Sequence, residues 1–91
     1  MTIARDSEIL GGEPRLEGTR IGVRHIAGRV VDLNQTPAVV ADQLDISLAA
    51  VYEALSYYYA NIDEMREVER DAERAFDRVE AESLQPKERV K

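Results

Sequence analysis

The chain has 91 residues, which allows one small hydrophobic core and leaves little room for the two-domain clefts in which many cofactor enzymes work. It contains no cysteine and one histidine, so a disulfide framework and an ordinary zinc site of four nitrogen and sulfur ligands are both excluded. A formal net charge of −6 disfavours nonspecific attraction to nucleic acid or to anionic lipid.

Charge is distributed unevenly along the chain. Residues 1–35 contain five arginines and five acids, residues 36–60 contain three acids and no base, and residues 61–91 contain seven bases and ten acids. The three regional charges are therefore 0, −3 and −3. The first ten residues include acids, unlike a signal peptide, and no uncharged run approaches the ~20 residues that span a bilayer. We therefore expect a cytoplasmic protein with no membrane partner.

The segment over residues 11–23 predicts turns and extended chain. Pro14 disfavours helix in the residue before it, and Glu17-Gly18 fits a tight turn between residues 15–16 and residues 19–21. We expect a short β-hairpin or an extended arm, and an ordered loop is the alternative. Two short strands are only marginally stable alone, so this segment should pack on the helices or pair with a second copy of itself.

Apolar residues at helical spacing then predict a first helix that ends near Asn34. They are Val23, Ile26, Ala27, Val30, Val31 and Leu33.

Two further helices follow in the arrangement of a helix-turn-helix. Thr36-Pro37 predicts the start of a second helix, because Thr caps free backbone N–H groups and Pro suits the first helical position. This helix should end near Leu44. Asp45 tolerates the left-handed backbone that a tight turn needs, and Ser47 should cap a third helix that includes Tyr58. Five apolar side chains should fill the angle between the two helices, namely Val40, Leu44, Ile46, Val51 and Ala54.

A fourth, amphipathic helix is predicted from Ile62 to a point before Pro86. Its apolar stripe consists of Ile62, Met65, Val68, Ala72, Ala75, Phe76 and Val79. Arginines four residues apart, flanked by acids, predict that the other face is solvated. The stripe should fold back on the core, pair with a second copy, or lie in the groove of a partner protein. We accordingly divide the chain into an arm with a three-helix core over residues 1–60 and a helix with a tail over residues 61–91.

DNA contact has a limited set of candidate residues. The third helix would direct Ser47, Ala49 and Tyr52 toward a major groove, while the best candidates for phosphate contact on the arm and first helix are Arg15, Arg20 and Arg24. Residues 36–60 offer no arginine for guanine and no lysine, which weakens the case for base reading by the third helix. Arg20 has the alternative of an ion pair that fixes the arm.

The run of Tyr57, Tyr58 and Tyr59 cannot all face one core, because consecutive helical residues point in different directions. Either these rings form a dimer or partner interface, or Tyr58 and one neighbour seal the core and the third ring is exposed. The predicted protein interface contains these three tyrosines together with Ile62, Met65, Val68, Ala72, Phe76 and Val79. We identify no catalytic constellation, and we predict no enzyme activity, metal or cofactor.

Over residues 9–64 the chain resembles the bacterial and archaeal domain-of-unknown-function 433 family, some members of which are linked to VapB-type antitoxins. The family's glycine-threonine-arginine signature is matched by Gly12, Pro14, Leu16, Gly18, Thr19, Arg20, Ile21 and Val23. The end of the family's third helix is matched by Leu48, Val51, Ala54, Leu55, Tyr57, Tyr58 and Tyr59.

The resemblance implies a mostly α-helical domain similar to a homeodomain or winged-helix module, and a homodimer. It also implies an antitoxin that neutralises a PIN-like ribonuclease toxin by binding it and that regulates its own operon by binding operator DNA. The alternative function is that of a helix-turn-helix transcriptional regulator with no toxin partner.

Overall fold

A computed structural model describes the backbone of residues 3–90 and the side chains of residues 3–82. It contains two short strands, β1 (Ile3–Ala4) and β2 (Arg15–Leu16), followed by four α-helices. These are α1 (Val23–Ala27), α2 (Pro37–Leu44), α3 (Leu48–Ala60) and α4 (Ile62–Val90). The prediction of a mostly helical fold with a small N-terminal β element is confirmed. The two predicted units cover residues 1–60 and 61–91. Residues 1, 2 and 91 of these units lie outside the residues that the structure describes.

The N-terminal arm is held by a strand pairing that the sequence pattern does not predict. Strand β2 is antiparallel to β1, with Ile3 opposite Leu16. The expected tight turn is present, since the N–H of Thr19 donates to the carbonyl of Leu16 at 3.1 Å and Gly18 has a φ of 82°. Beyond this turn only a bridge between Arg15 and Gly22 remains of the expected hairpin, so the paired strands are β1 and β2.

Helix α1 passes directly into a π-helical turn over Gly28–Asp32. The N–H of Leu33 donates to the carbonyl of Gly28 at 3.0 Å, five residues back, and Asn34 then ends the helical segment with a φ of 58°. The predicted end near Asn34 is confirmed, and Leu33, the last of the apolar residues at helical spacing, is 65% exposed. A π-helical turn is wider than an α-helical turn and changes the direction of the side chains that follow.

The boundaries of α2 and α3 follow from the local signals in the sequence. The Thr36 hydroxyl accepts from the N–H of Val39 at 3.2 Å, and the Ser47 hydroxyl accepts from the N–H of Ala50 at 3.0 Å. Between the helices Asp45 adopts a left-handed backbone with φ 57° and ψ 48°. The hydroxyls of Thr36 and Ser47 satisfy backbone N–H groups that have no partner inside the helix. The predicted start of each helix is therefore confirmed.

The core lies between the arm, α1, α2, α3 and the first turn of α4. Its buried apolar residues are Leu16, Val23, Ile26, Ala27, Val40, Ala41, Ala50, Val51, Ala54, Leu55, Tyr58 and Met65. Leu44 and Ile46 are half-buried against this cluster. The predicted filling of the angle between α2 and α3 is therefore confirmed.

Helix α4 begins one residue after α3 and is much longer than the core on which it packs. Met65 is fully buried, and Val68 packs against the core from a half-buried position. Residues 73–82 are all exposed. The helix continues to Val90, so the predicted end before Pro86 is wrong. The φ of proline lies within the helical range, so its missing N–H weakens a helix locally and need not end it.

The packing of α4 can be tested at Met65. We expect Met65→Ala to lower the free energy of unfolding by about 2–5 kcal/mol, because it leaves a cavity in a fully buried position. Val79→Ala, at a position that is 59% exposed, should change it by less than about 0.5 kcal/mol. Urea unfolding followed by circular dichroism measures both values. Equal effects of the two substitutions would contradict the packing of α4 on the core.

Candidate functional site

The arginines predicted to contact phosphate lie in three different environments. Arg15 is only 8% exposed, and its Nη1 donates to the carbonyls of Leu16 and Thr19 at 3.4 and 3.2 Å. A phosphate contact would require Arg15 to leave these carbonyls. Its Nε is buried without a hydrogen-bond partner among the described atoms. Arg15 therefore fastens the turn of the arm.

The other two arginines differ in their accessibility. The guanidinium of Arg24 donates twice to the carboxylate of Glu13, with both distances at 3.3 Å, and so joins α1 to the arm. Arg20 is exposed beside the turn, and no ion pair among the described side chains engages it. Of the three predicted phosphate contacts, Arg20 is thus the one that presents its charge to solvent.

The first two turns of α3 present the other predicted DNA contacts. Ser47 and Ala49 are exposed, and Tyr52 is 55% exposed. The Ser47 hydroxyl already accepts from the N–H of Ala50, so its acceptor capacity is partly used by the helix cap. The structure therefore places these residues on one accessible end of α3.

A row of exposed side chains, most of them large and apolar or aromatic, runs along α3. We call this row the α3 ridge. It consists of Leu48, Tyr52, Ser56 and Tyr59, which lie on one face at spacings of four, four and three residues. Leu48 is 46% exposed and Tyr59 is 62% exposed. Helical spacing in the sequence already predicts that Leu48, Tyr52 and Ser56 lie on the accessible side of the third helix, toward a major groove.

The three consecutive tyrosines divide between the core and the surface. Tyr58 is buried, and its ring meets the exposed ring of Tyr59 edge to face, with centroids 5.2 Å apart. Tyr57 is half-buried and donates its hydroxyl to Glu64 at 2.9 Å. Tyr58 and Tyr57 thus face the core and Tyr59 is exposed, which leaves the ring of Tyr59 available for an interface. Burial raises the pKa of Tyr57 and of Tyr58, so both phenols remain donors at neutral pH.

Glu64 also joins the arm to the start of α4. Arg5 forms an ion pair with Glu64 and donates its Nε to the carbonyl of Gly12 at 3.1 Å. Because Tyr57 donates to the same carboxylate, one acid connects the N-terminal arm, α3 and α4. This cluster of Arg5, Tyr57 and Glu64 fixes the direction in which α4 leaves the core.

The predicted interface on α4 divides into a covered part and an uncovered part. Ile62, Met65 and Val68 pack against the core, so the expectation that the whole stripe forms an interface is wrong for this part. Ala72 is half-buried, whereas Phe76 is 66% exposed and Val79 is 59% exposed. We call residues 73–82 the distal segment of α4. Its apolar side chains are not covered by the described part of the chain.

An open groove of about 810 Å³ separates the distal segment from the π-helical turn. Arg24 and Arg29 line one wall, and Glu69 and Glu73 line the opposite wall. Between them lie apolar side chains that include Leu33 and Phe76. Arg29 donates to the side-chain oxygen of Gln43 at 2.7 Å. With Arg24 also bonded to Glu13, both basic residues of this wall already have partners within the chain.

The imidazole of His25 takes part in the cap of α1. Its Nδ1 accepts from the N–H of Gly22 at 3.3 Å, which requires that nitrogen to be unprotonated. Burial and then the neighbouring charge of Arg24 lower the pKa of His25 below its ordinary value of 6.5. The imidazole of His25 is therefore neutral in the folded protein at neutral pH, and its Nδ1 accepts the hydrogen bond from Gly22.

We expect the stability of the fold to decrease as the pH falls below about 6.5. The unfolded chain takes up a proton on His25 more readily than the folded chain does, since the folded pKa is lowered. Urea midpoints measured between pH 7.5 and pH 5.5 test this, a range chosen because it lies largely above the titration of carboxylates. His25→Gln keeps an acceptor for the N–H of Gly22 and should have the flatter profile. Identical profiles for the two proteins would contradict this role of His25.

The fold and these surfaces define a small helical protein with an N-terminal β arm and two exposed apolar faces, the α3 ridge and the distal segment of α4. The family model for a protein of unknown function, DUF433, matches residues 3–58. The chain belongs to this DUF433 family, as its glycine-threonine-arginine signature predicts. No curated protein and no solved structure matches the chain. None of the described helices is both long enough and apolar enough to cross a membrane.

Proposed function

We propose that the chain is a protein-binding module that acts as an antitoxin and neutralises a PIN-like ribonuclease toxin by direct contact. The observation that carries the proposal is the exposure of Phe76 and Val79 on a helix that extends beyond its own core. Large apolar side chains in one exposed row are typical of surfaces that bind other proteins. The module needs no chemistry of its own for this function.

The α3 ridge supports a protein-binding function in a second way. Its exposed side chains are tyrosine and leucine, which contribute large apolar area at interfaces. Residues 36–60 have a charge of −3 and no base, so this part of the surface repels phosphate. We propose that the ridge forms the contact between two copies in a homodimer.

The nature of the toxin rests on the resemblance of the signature and the third helix to VapB-type antitoxins. An antitoxin of this kind is encoded next to its toxin, so the neighbouring reading frame provides the natural partner. The distal segment of α4 is the surface that we assign to the toxin, since the rest of the stripe is covered by the core.

Co-expression tests this function. We expect the wild-type chain to restore growth of cells that express a nuclease from the neighbouring reading frame. The double substitution Phe76→Ser and Val79→Ser should lose this rescue and weaken binding by about tenfold or more, because it removes two apolar contacts. Val39→Ser, at another exposed apolar position, should retain both properties. If the neighbouring product is no nuclease and the chain rescues no growth, the antitoxin function is wrong.

A second candidate function is a DNA-binding regulator. The observation that favours it is the turn of three residues between α2 and α3, which has the spacing of a helix-turn-helix and leaves the start of α3 exposed. The buried position of Arg15 and the lack of bases in residues 36–60 weigh against it. The α3 ridge also cannot serve a dimer contact and a major groove at once.

Mobility shifts on the promoter of the protein's own gene at low salt separate the two functions. We expect no sequence-specific shift, because α3 offers no basic side chain to a base edge. A specific shift that Arg20→Ala weakens, and that unrelated DNA does not compete, would favour the regulator instead. Unchanged binding by Tyr52→Ala would then show that α3 does not read the DNA.

A further inference from the structure

The charges around the distal segment of α4 indicate what kind of protein surface covers it. The segment presents Ala75, Phe76 and Val79 on one face, and all three are exposed. Ala75 and Val79 are four positions apart, which is about 6 Å along the helix axis, so the uncovered apolar row extends over a little more than one turn. A short apolar row of this kind can anchor a helix in a groove on a partner.

One edge of this stripe is acidic. Glu69, Glu73 and Glu80 lie along the edge that faces the π-helical turn, whereas Arg78 and Glu82 lie along the other edge, as helical spacing requires. No ion pair within the described side chains engages Glu73 or Glu80. The edge that carries Glu73 and Glu80 is therefore negatively charged toward any partner.

The arginines of the same helix lie mainly on the face that points away from the stripe. Arg70 forms an ion pair with Glu67, and Arg74 forms one with Asp71, in both cases between residues three positions apart. These pairs satisfy the bases locally and leave them distant from the apolar side chains. Acids therefore predominate along the edge that carries Glu73 and Glu80, while Arg78 lies at the other edge.

A second copy of this helix is a poor occupant for the stripe. If two copies packed antiparallel and stripe to stripe, Glu73 and Glu80 of one would approach the same acids of the other, and like charges at close range are destabilising. A parallel copy would bring a single base, Arg78, together with Glu82 toward this acidic edge. The groove beside α4 offers no free basic wall either, because Arg24 is bonded to Glu13 and Arg29 to Gln43.

We infer that the distal segment of α4 binds an apolar groove edged by lysine or arginine on a different protein. The apolar side chains enter the groove while Glu73 and Glu80 pair with the bases at its edge, where complementary charge selects the partner and the orientation. This inference rests on the proposed protein-binding function and deepens it by giving the chemistry of the partner surface.

Binding of the full-length chain to two designed peptides tests the inference. Both peptides are amphipathic helices of about three heptads with Leu at positions a and d, and they carry either Lys or Glu at positions e and g. We expect the lysine peptide to bind about tenfold more tightly than the glutamate peptide at low salt. Fluorescence anisotropy of labelled peptide measures both affinities.

Matched variants locate the interaction on the chain. Glu73→Lys with Glu80→Lys should remove or reverse the preference for the lysine peptide. Asp63→Lys with Glu67→Lys changes the net charge by the same amount at exposed positions on the opposite face and should leave the preference nearly unchanged. Phe76→Ser with Val79→Ser should weaken binding of the lysine peptide by about tenfold. Circular dichroism confirms that each variant is folded.

Four results would overturn the inference. Equal affinity for the two peptides, or equal effects of the edge pair and the control pair, would show that the acids at the edge do not select the partner. Sedimentation of the wild-type chain as a dimer that Phe76→Ser with Val79→Ser converts to a monomer would show that a second copy covers the stripe. If instead the neighbouring protein binds through Phe76 and Val79 but Glu73→Lys with Glu80→Lys leaves its affinity unchanged, the protein-binding function stands and only its charge selectivity is wrong.

Discussion

The mismatch in length between α4 and the body on which it packs determines the character of this protein. A helix of 29 residues is about 43 Å long, whereas the two shorter dimensions of the molecule are 26 and 23 Å. The body therefore covers the first turns, where Met65 is fully buried, and ends before the distal segment. One continuous apolar stripe thus serves the core at one end and faces solvent at the other.

Polar contacts at the start of α4 convert this mismatch into a defined geometry. The carboxylate of Glu64 binds Arg5 of the arm and Tyr57 of α3, so the helix leaves the body in one direction. Arg15 and Arg24 fix the arm in turn, through the carbonyls of the turn and through Glu13. In the sequence, the arginines of the N-terminal third suggest contact with nucleic acid. In the structure, most of them form hydrogen bonds or ion pairs within the chain and so stabilise the fold.

The sequence predicts those parts of the fold that local chemistry decides. Thr36, Asp45 and Ser47 each act on backbone groups within a few residues, and the ends of α2 and α3 follow from them. The pairing of β1 with β2 depends on residues more than ten positions apart in strands too short for a pattern. The exposure of Leu33 depends on a π-helical turn that periodicity alone does not reveal. The sequence also predicts that the three consecutive tyrosines cannot all face the core. Which of the rings are buried depends on the tertiary packing, which the sequence pattern does not reveal.

The uncovered end of α4 also bears on how long a molecule of this protein survives. Proteases cleave backbone that has locally unfolded, and local unfolding costs least where no buried contact is lost. Residues 73–82 contribute no side chain to the core, and their helix is supported mainly by backbone hydrogen bonds and by ion pairs on its surface. A partner seated on Phe76 and Val79 adds buried area that must be lost before cleavage. If a partner occupies this segment as we propose, the chain should therefore resist proteolysis for longer than the free chain does.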